Sequence, residues 1–236
     1  MGLLKYLPAK VKGSLRHMRG HHSDFYPWGA ALNASTARLE AVRQIFYRCG
    51  IRSIIETGTF RGTTTEWFAQ LGVPVVSIES HPPTFEFAIR RLKRFDNVTV
   101  LPGSSTDVLP KYLGSLVNRS APAMIYLDAH WEGHLPLAEE LDVICRSLDR
   151  FVVIVDDFEV QGDTGYSFDD YGPGKALTAE YLDRCTGRDL ARFYPSVPSN
   201  EETGTRRGWI VLTKDPEFIK ILSTIELLRP SGPRTP

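Results

Sequence analysis

Cysteine is scarce in this sequence of 236 residues, which contains only Cys49, Cys145 and Cys185. They form no Cys-x-x-Cys pair and give no framework of disulfide bonds, which favours a reducing compartment. A long apolar run is also missing, because the longest, Phe151 to Val155, is far too short to cross a bilayer. The start of the chain lacks the apolar core of a signal peptide. We therefore expect a cytoplasmic protein.

A net charge is absent as well, since 28 basic residues balance 28 acidic ones, and we expect no general attraction to nucleic acid. The charges are unevenly distributed, because residues 1–23 contain five basic residues and no acidic one. Apolar residues recur among them at helical spacing, which predicts an amphipathic helix over residues 3–18. Such a helix would make peripheral contact with a membrane, or pack on the domain or on a second subunit of a homo-oligomer.

Two parts of unequal size are expected along the chain. Residues 1–33 would form an N-terminal amphipathic helix and a lid segment, with a candidate lid from His21 to Trp28. Residues 34–236 would form a single domain, in which apolar β-rich runs alternate with helical patterns at the intervals of βαβ units. Near-continuous apolar strands indicate that both faces of the sheet are covered, as in a Rossmann-like, doubly wound and mostly parallel α/β sheet.

The pattern predicts seven strands and seven helices in this domain. The strands are Ser53–Thr57, Val75–Glu79, Val98–Pro102, Met124–Asp128, Val152–Asp156, about Arg192–Pro195, and Trp209–Thr213. The helices are Ser35–Cys49, Thr64–Leu71, Thr84–Phe95, Thr106–Val117, Leu137–Leu148, Lys175–Cys185 and about Pro216–Leu228. The last two strands, separated by a polar stretch, fit an antiparallel hairpin at the edge of the sheet.

The most informative stretch runs from Glu56 through Gly58 and Gly62 to Thr64, between a β-branched strand and a helix. A strand, a glycine loop and a helix in this order form the cofactor-binding turn of an open α/β sheet. A carboxylate at Glu56 would repel the pyrophosphate of a dinucleotide, and no Gly-Lys-Ser/Thr follows to hold a triphosphate. A cofactor with an ammonium group near Glu56 and a carboxylate near the helix start fits better. S-adenosylmethionine has both groups.

The spacing Glu-x-Gly-x-x-x-Gly-x-Thr in this stretch resembles motif I of class I S-adenosylmethionine-dependent methyltransferases. The resemblance covers the order of strands and motifs from about Ala34 to Thr213, and it implies the methyltransferase fold and S-adenosylmethionine as the cofactor. The two glycines would serve a purely structural turn equally well. The cofactor contacts predicted in this loop are Glu56, Gly58, Thr59, Gly62 and Thr63.

Further cofactor contacts are predicted where the next two strands end. Glu79 lies 21 residues after Gly58, at the place of the acid that binds two ribose hydroxyls in nucleoside-binding folds. Ser104 and Ser105 resemble the segment that lies beside the adenine. Plainer explanations also exist, because acids cap helices and Gly-Ser-Ser forms ordinary turns.

Three carboxylates close the fourth and fifth strands, Asp128 on the fourth and the pair Asp156 and Asp157 on the fifth. They would repel one another unless a cation lies between them, and oxygen ligands of this kind suit Mg²⁺ or another divalent ion. The pattern is similar to metal-dependent O-methyltransferases of the catechol and the natural-product or sugar tailoring types. By that resemblance all three acids bind the metal, and Asp128 also contacts the cofactor. Without a metal, Asp128 and Asp157 would cap the helices that follow.

The residues after Asp128 depart from the catechol type. That type has Asp-His-Trp-Lys with the lysine as general base, whereas here Ala129 intervenes and Trp131 stands three residues after the acid. His130 takes the place that holds a base in some sugar O-methyltransferases, and its ordinary pKa of about 6.5 suits proton removal at neutral pH. We therefore predict His130 as the catalytic base. A structural hydrogen bond or a contact with the adenine would be its other uses.

A long loop follows the fifth strand, from Gly162 to Gly174. Its length and its aromatic residues indicate part of an acceptor pocket, the alternative being a solvated loop with its aromatic side chains tucked beneath it. The residues predicted to line the pocket are Tyr166, Phe168 and Tyr171, with Asp169 and Asp170 contacting polar hydroxyls.

The sequence therefore predicts an S-adenosylmethionine-dependent methyltransferase. The reaction expected is Mg²⁺-assisted O-methylation of a small polar acceptor, such as a sugar, a phenol or a natural product. Two alternatives stay open at this point: a metal-free N- or C-methyltransferase, and a non-catalytic binding protein of the same fold.

Overall fold

The computed structural model of the protein describes residues 29–130 and 135–232, together with Pro8, Ala9 and Val11. The predicted amphipathic helix, apart from these three positions, and the candidate lid from His21 to Trp28 lie outside the described residues. Within the described ranges, no helix is both long and apolar enough to span a membrane.

Eight strands in the described residues form one sheet at the centre of the fold. They are β1 (Ser53–Thr57), β2 (Val75–Glu79), β3 (Val98–Pro102), β4 (Ala123–Leu127), β5 (Phe151–Asp156), β6 (Ala191–Pro195), β7 (Trp209–Thr213) and β8 (Leu228–Pro230). Their order across the sheet is β3-β2-β1-β4-β5-β7-β6-β8. Strands β1 to β5 are parallel, whereas β7, β6 and β8 each pair antiparallel with the preceding strand in this order. The strand order reverses at β1 and β4, where open α/β sheets bind their ligands.

Seven α-helices in the same ranges connect or follow the strands. They are α1 (Thr36–Arg48), α2 (Thr63–Ala69), α3 (Pro82–Leu92), α4 (Ser105–Gly114), α5 (Leu137–Ser147), α6 (Ala179–Asp183) and α7 (Pro216–Leu222). Short 3₁₀ turns lie at Ala31–Ala34, Thr186–Asp189 and Ser199–Glu201.

Each face of the sheet carries its own hydrophobic core. Ile55 and Val153 face the layer that contains α4 and α5, whereas their neighbours Ile54 and Val152 face the layer that contains α1, α2 and α7. Successive residues of a strand point to opposite faces, so a strand covered on both sides must be apolar at nearly every position. The two layers hold the carboxyl ends of the parallel strands at one edge of the sheet, and this edge carries the candidate site.

The residues just before α1 belong to this packed structure. Leu32 is buried and donates its backbone N–H to the Thr64 hydroxyl at the start of α2. Thr205 N donates to Asn33 O at 2.9 Å. Residues 32–34 all have left-handed φ values. Leu32 and Asn33 are therefore integrated with the domain that follows them.

The prediction of seven strands is wrong by one, because β8 adds an eighth at the edge beyond β6. The last helix was expected to run to Leu228, but α7 ends at Leu222. The hydroxyls of Ser223 and Thr224 donate to carbonyl oxygens at Ile219 and Ile221, and so satisfy acceptors at the end of the helix. Residues Leu228–Pro230 pair with β6 as a strand instead of continuing the helix.

The helix predicted over Lys175–Cys185 is shorter, since α6 covers Ala179–Asp183. Its start is set by Thr178, whose side chain accepts a hydrogen bond from Tyr181 N as an N-cap. The residues before it belong to a turn, in which Lys175 N donates to Gly172 O. This turn closes the loop that follows β5.

Candidate active site

The glycine loop after β1 packs closely against the end of β4. Asp128 N donates to Thr57 O at 3.0 Å. Gly58 has a φ of 85°, and a Cβ atom there would lie 2.1 Å from the carbonyl oxygen of Asp128, so a side chain has no room. Gly62, with a φ of 76°, caps α2, which begins at Thr63. The loop and the end of β4 thus form one continuous surface.

Glu56 is buried beneath this loop, with 1% of its surface exposed. Its carboxylate accepts hydrogen bonds from the hydroxyls of Thr65 and Ser77, the latter at 2.5 Å. Burial outweighs these hydroxyls and raises the pKa of Glu56 to about 7. Thr59 is buried too, and its hydroxyl lies 2.5 Å from that of Ser77. The side chains of Glu56 and Thr59 therefore shape the loop from below.

Glu79 lies at the end of β2 and holds the loop in place. Its carboxylate accepts Phe60 N at 2.7 Å and His81 N at 2.8 Å. Burial raises the pKa of Glu79 despite these backbone donors. Phe60 has a left-handed φ of 48° and a partly exposed ring. Each carboxylate oxygen has a second lone pair, so Glu79 retains acceptor capacity for hydroxyl groups.

The two serines after β3 differ in their surroundings. Ser104 is partly exposed, and its hydroxyl lies 2.7 Å from that of Thr106. Ser105 is buried at the start of α4, beside the carboxylate of Glu140 on α5. Burial raises the pKa of Glu140 to about 7, and the Ser105 hydroxyl opposes this shift. Of the two, only Ser104 is accessible, and Glu140 is a buried acid that the sequence patterns did not single out.

At the ends of β4 and β5 the structure brings together Asp128, His130 and Asp157. One ligand atom from each lies within 4.8 Å of the other two. His130 Nε2 is 3.8 Å from Asp128 Oδ1 and 3.9 Å from Asp157 Oδ2. Metal–ligand bonds are about 2.0–2.6 Å long, so two ligands of one ion lie at most about 4–5 Å apart. The three groups therefore meet the distance requirement for holding one cation.

The imidazole of His130 is the most unusual group in this cluster. Its side chain is 4% exposed, and Nε2 has no hydrogen-bond partner among the described residues. Burial lowers the pKa of His130, although the carboxylates of Asp169 and Asp156 act in the opposite direction. A buried, neutral imidazole with a free ring nitrogen facing carboxylates fits a cation, because neutral imidazole and carboxylate groups are both metal ligands.

The two acids of the cluster are held in unfavourable surroundings. Burial, together with Asp156 and Asp157, raises the pKa of Asp128 well above its ordinary value. Burial and Asp156 likewise raise the pKa of Asp157 to about 6. Asp157 also has a left-handed φ of 51°, a conformation that costs energy in a residue other than glycine. Such strain at a cluster of polar groups is typical of functional sites.

Asp156 does not join this cluster, and the geometry replaces it with His130. Its carboxylate forms a buried ion pair with Arg38 of α1 at 2.5 Å and also accepts the Tyr126 hydroxyl and Asn33 Nδ2. Burial acts to raise the pKa of Asp156, but Arg38 and these donors hold it below its ordinary value. The predicted set Asp128, Asp156 and Asp157 is therefore corrected: Asp156 is occupied by internal partners.

Sequence patterns missed Arg38 and Arg207, two arginines that control these acids. Arg38 is fully buried, on the same helical face as Ala41, Val42 and Ile45. A charge on an apolar helix face is a signal for a buried ion pair and could have been read from the sequence. Arg207 lies in an irregular segment before β7, where no periodic pattern draws attention to it.

The loop after β5 approaches the cluster through Asp169 and Tyr171. Arg207 forms ion pairs with Asp157, at 2.5 Å, and with Asp169. Asp169 Oδ2 is 3.8 Å from His130 Nε2 and accepts the hydroxyl of Tyr171 at 2.5 Å. Both Asp169 and Tyr171 are partly buried.

The other predicted pocket residues in this loop have different surroundings. Tyr166 is buried, and its hydroxyl donates to Val197 O at 2.9 Å, so it packs beneath the loop. Asp170 is exposed and accepts Gly172 N within the turn. Phe168 is partly buried. Residues 131–134, which include Trp131, lie outside the described residues.

Comparison with known proteins places this geometry in a structural class. No family model matches the sequence, and a search of curated proteins finds no match. Among solved structures, the O-methyltransferase TomG from Streptomyces achromogenes, involved in tomaymycin synthesis and bound to S-adenosylmethionine, is 20% identical with a TM-score of 0.57. The similarity covers 91% of this chain and 93% of that one.

Two further structures agree with this result. An O-methyltransferase from Bacillus cereus in complex with S-adenosylhomocysteine is 17% identical, with a TM-score of 0.57 over 89% of this chain and 93% of that one. A putative caffeoyl-CoA O-methyltransferase from Staphylococcus aureus is 15% identical, with a TM-score of 0.56 over 89% and 94%. The chain therefore has the fold of class I S-adenosylmethionine-dependent methyltransferases, which confirms the fold expected from the resemblance to motif I.

Proposed function

We propose that this protein is an S-adenosylmethionine-dependent O-methyltransferase that acts, with a divalent cation, on a hydroxyl group of a small polar molecule. The observation that carries the proposal is the contact between two sites at one edge of the sheet. The glycine loop from Glu56 to Gly62 touches the backbone of Asp128, and Asp128 is also a member of the acidic cluster. A methyl donor in the loop and an acceptor at the cluster would therefore be neighbours.

S-adenosylmethionine would supply a methyl group on its sulfonium: in-line attack by the acceptor oxygen would form the O–CH₃ bond and break the S–CH₃ bond, with S-adenosylhomocysteine as the leaving group and no covalent help from the protein. The contribution of the chain is to hold donor and acceptor in line, which can supply ~7–11 kcal/mol of barrier reduction. In this proposal Glu79 accepts hydrogen bonds from the ribose hydroxyls, and Ser104 lies on the adenine side. Glu56 supports the loop that carries the methionine part, through its bonds to Thr65 and Ser77.

The residues that would hold the cation are Asp128, His130 and Asp157. The cation would lower the pKa of the acceptor hydroxyl and orient it. The charge of the surroundings supports a divalent ion, because four carboxylates face two guanidinium groups, an excess of two negative charges when all four acids are ionised. The groups counted are Asp128, Asp156, Asp157 and Asp169 on one side and Arg38 and Arg207 on the other.

Two roles for His130 fit a neutral imidazole, that of cation ligand and that of the predicted base. The ligand role agrees better with the distances, because Nε2 lies 3.8–3.9 Å from an oxygen of Asp128, Asp157 and Asp169 alike. A base would need the same nitrogen to face the acceptor. We therefore assign His130 to the cation site and keep the base role as an outcome of the test below.

The metal-free alternative would need the acids at the strand ends to serve as helix caps. Asp157 does not fit that use, since one of its oxygens is bonded to Arg207 and the other faces His130. The non-catalytic alternative predicts that the protein binds the cofactor weakly or not at all. Both alternatives make predictions that binding measurements can separate from ours.

The test is titration calorimetry of the full chain with S-adenosylhomocysteine, with and without Mg²⁺ or Mn²⁺. We expect binding of S-adenosylhomocysteine and, in separate titrations, saturable binding of the metal. His130→Ala should weaken metal binding and leave S-adenosylhomocysteine binding intact. If metal binding is unchanged while methyl transfer from labelled S-adenosylmethionine to phenol or sugar acceptors falls, His130 is the base. Absence of S-adenosylhomocysteine binding would contradict the whole proposal.

A further inference from the structure

We infer that Asp169, in the loop after β5, is a further ligand of the cation, and that Arg207 is the residue that positions it. The inference rests on the proposed cation site and extends it from the sheet edge to the loop. It assigns a metal-binding role to a residue twelve positions beyond Asp157, in a segment predicted only to line the acceptor pocket.

Arg207 contacts two carboxylates with two different nitrogens. Its Nε donates to Asp157 Oδ1 at 2.5 Å, and its Nη2 donates to Asp169 Oδ1. A guanidinium group is planar and rigid, so it fixes the orientation of both acids relative to each other. Each acid thus keeps its second oxygen, Oδ2, out of the contact with Arg207.

The two remaining oxygens converge on one atom. Asp157 Oδ2 lies 3.9 Å and Asp169 Oδ2 lies 3.8 Å from His130 Nε2. These distances are too long for hydrogen bonds, which end at about 3.2 Å for such pairs. They fall within the range allowed for two ligands of one cation with bonds of about 2.0–2.6 Å.

His130 is the independent sign that the cluster binds something. Its side chain is 4% exposed, and Nε2 has no partner among the described residues, although three carboxylates surround it. A buried ring nitrogen without a hydrogen bond costs free energy, so a native structure requires a reason for it. A cation between Nε2 and the oxygens of Asp128, Asp157 and Asp169 supplies that reason.

The backbone holds Asp169 at the sheet edge. Asp169 N donates to Asp157 O, and Leu177 N donates to Asp169 O, both at 2.9 Å. Tyr171 adds a side-chain bond to Asp169 Oδ2 at 2.5 Å. Since Asp169 is fixed between β5 and the rest of the loop, a cation bound to it would also fasten the loop that covers the acceptor side.

The first experiment measures Mn²⁺ affinity of the full chain by electron paramagnetic resonance of the free ion. We expect Asp169→Asn to weaken Mn²⁺ binding roughly 10–100-fold, the range found when groups around a metal are changed. The matched control is Asp170→Asn, the neighbouring exposed acid, which should bind Mn²⁺ like the wild type. S-adenosylhomocysteine affinity should be unchanged in both variants, which shows that they are folded.

The second experiment tests the positioning role of Arg207. Arg207→Lys keeps the charge but loses the planar fork, so we expect roughly 10-fold weaker Mn²⁺ binding. Arg206→Lys, the same change at the adjacent exposed position, is the control and should have no effect. A purely structural role would instead lower S-adenosylhomocysteine affinity and Mn²⁺ affinity together.

Hydrogen exchange provides a third measurement, on the loop itself. Mn²⁺ should slow amide exchange in residues 168–177, and it should not do so in Asp169→Asn. If the wild type fails to bind Mn²⁺, the proposed cation site itself is wrong. If it binds Mn²⁺ but Asp169→Asn matches its control, and the loop shows no added protection, then Asp169 is no ligand and the inference is overturned.

Discussion

Two groups of acids lie at the same edge of the sheet, and their surroundings differ. After β1 and β2, Glu56 accepts two hydroxyl hydrogen bonds and Glu79 accepts two backbone N–H groups, so the chain itself satisfies both. After β4 and β5, Asp128 and Asp157 crowd a ring nitrogen of His130 that has no partner among the described residues. The chain itself therefore satisfies the first group, which we call the cofactor half of the site, whereas the second group, the cation half, leaves a buried ring nitrogen of His130 without a partner among the described residues.

The difference shows how each half contributes to the proposed reaction. Preformed hydrogen bonds fix the shape of the cofactor loop, so the donor meets a rigid surface. Like charges held together by the fold store unfavourable energy, and a cation relieves it on binding. We expect substitutions in the two halves to separate cofactor affinity from metal affinity.

The largest expected effect is on stability and comes from replacing Asp156, which lies beside the cation half but is paired with Arg38. Asp156→Asn would leave a buried arginine without its counter-charge, and we expect a loss of about 3–5 kcal/mol in the free energy of unfolding. Asp157→Asn, its neighbour, should cost less stability, because Arg207 keeps Asp169 as a second partner, and it should abolish Mn²⁺ binding. Urea unfolding of both variants gives the comparison. If folded Asp156→Asn protein loses Mn²⁺ binding, the originally predicted set of three aspartates is right.

Removal of the cation by chelation should have the next largest effect, and it should act on the cation half alone. We expect excess EDTA to lower methyl transfer from labelled S-adenosylmethionine by about 100-fold or more, because metal activation of an acceptor is worth several kcal/mol. Added Mn²⁺ should restore the rate. S-adenosylhomocysteine affinity should stay the same throughout. Full turnover in EDTA would remove the cation from the mechanism.

A smaller effect is expected at Glu79 in the cofactor half. Glu79→Ala removes charge-assisted hydrogen bonds, each worth ~1.5–3 kcal/mol, and S-adenosylhomocysteine affinity should fall by that amount while Mn²⁺ affinity is retained. Calorimetry with each ligand separates the two. Glu86→Ala, a change on the following helix α3, serves as the control. An unchanged affinity would exclude Glu79 from the ribose site.

The smallest effect concerns Glu140, beneath the cofactor half. Its pKa rises from 4.5 to about 7 on folding, so the folded state holds the proton more tightly than the unfolded chain. Stability should therefore fall as the pH rises from about 4.5 to 7, and Glu56 contributes in the same direction. Glu140→Gln should remove the contribution of Glu140 to this pH dependence. The free energy of unfolding of the variant relative to the wild type should therefore be about 1–2 kcal/mol more favourable at pH 8 than at pH 5. Urea unfolding at both values tests this, and parallel pH curves for wild type and variant would contradict it.

Most of the parallel sheet could be predicted from the sequence with little error. The bounds of β1, β2, β3 and β7 agree with the predicted ones, because β-branched apolar runs are followed by residues that strands disfavour, such as Gly58 and Gly103. The cofactor loop was predictable for a similar reason, since Gly58 and Gly62 mark positive φ values that few other residues adopt. Strand β8 was missed because the apolar residues Leu222, Ile225 and Leu228 recur at helical spacing beyond the end of α7, so the predicted helix was extended to Leu228.

The identity of the groups in the acidic cluster could not be predicted in this way. Asp156 and Asp157 are adjacent and chemically identical, yet one pairs with Arg38 and the other faces His130. Asp156 is still part of β5, where its side chain meets Tyr126 and α1, while the left-handed φ of Asp157 turns the chain away after the strand. Neither the partner, 118 residues earlier, nor the turn leaves a mark next to these residues.

Local patterns in the sequence therefore set the strands, the glycine loop and the placement of acids at strand ends, because each depends on a few neighbouring residues. Whether an acid is paired with a positive charge depends on Arg38 and Arg207, which reach Asp156 and Asp157 from distant parts of the chain. An ion pair with a hydrogen bond forms only when the two groups are in contact, and such contacts are set by packing. The same carboxylates thus become structural in one place and candidate ligands in another.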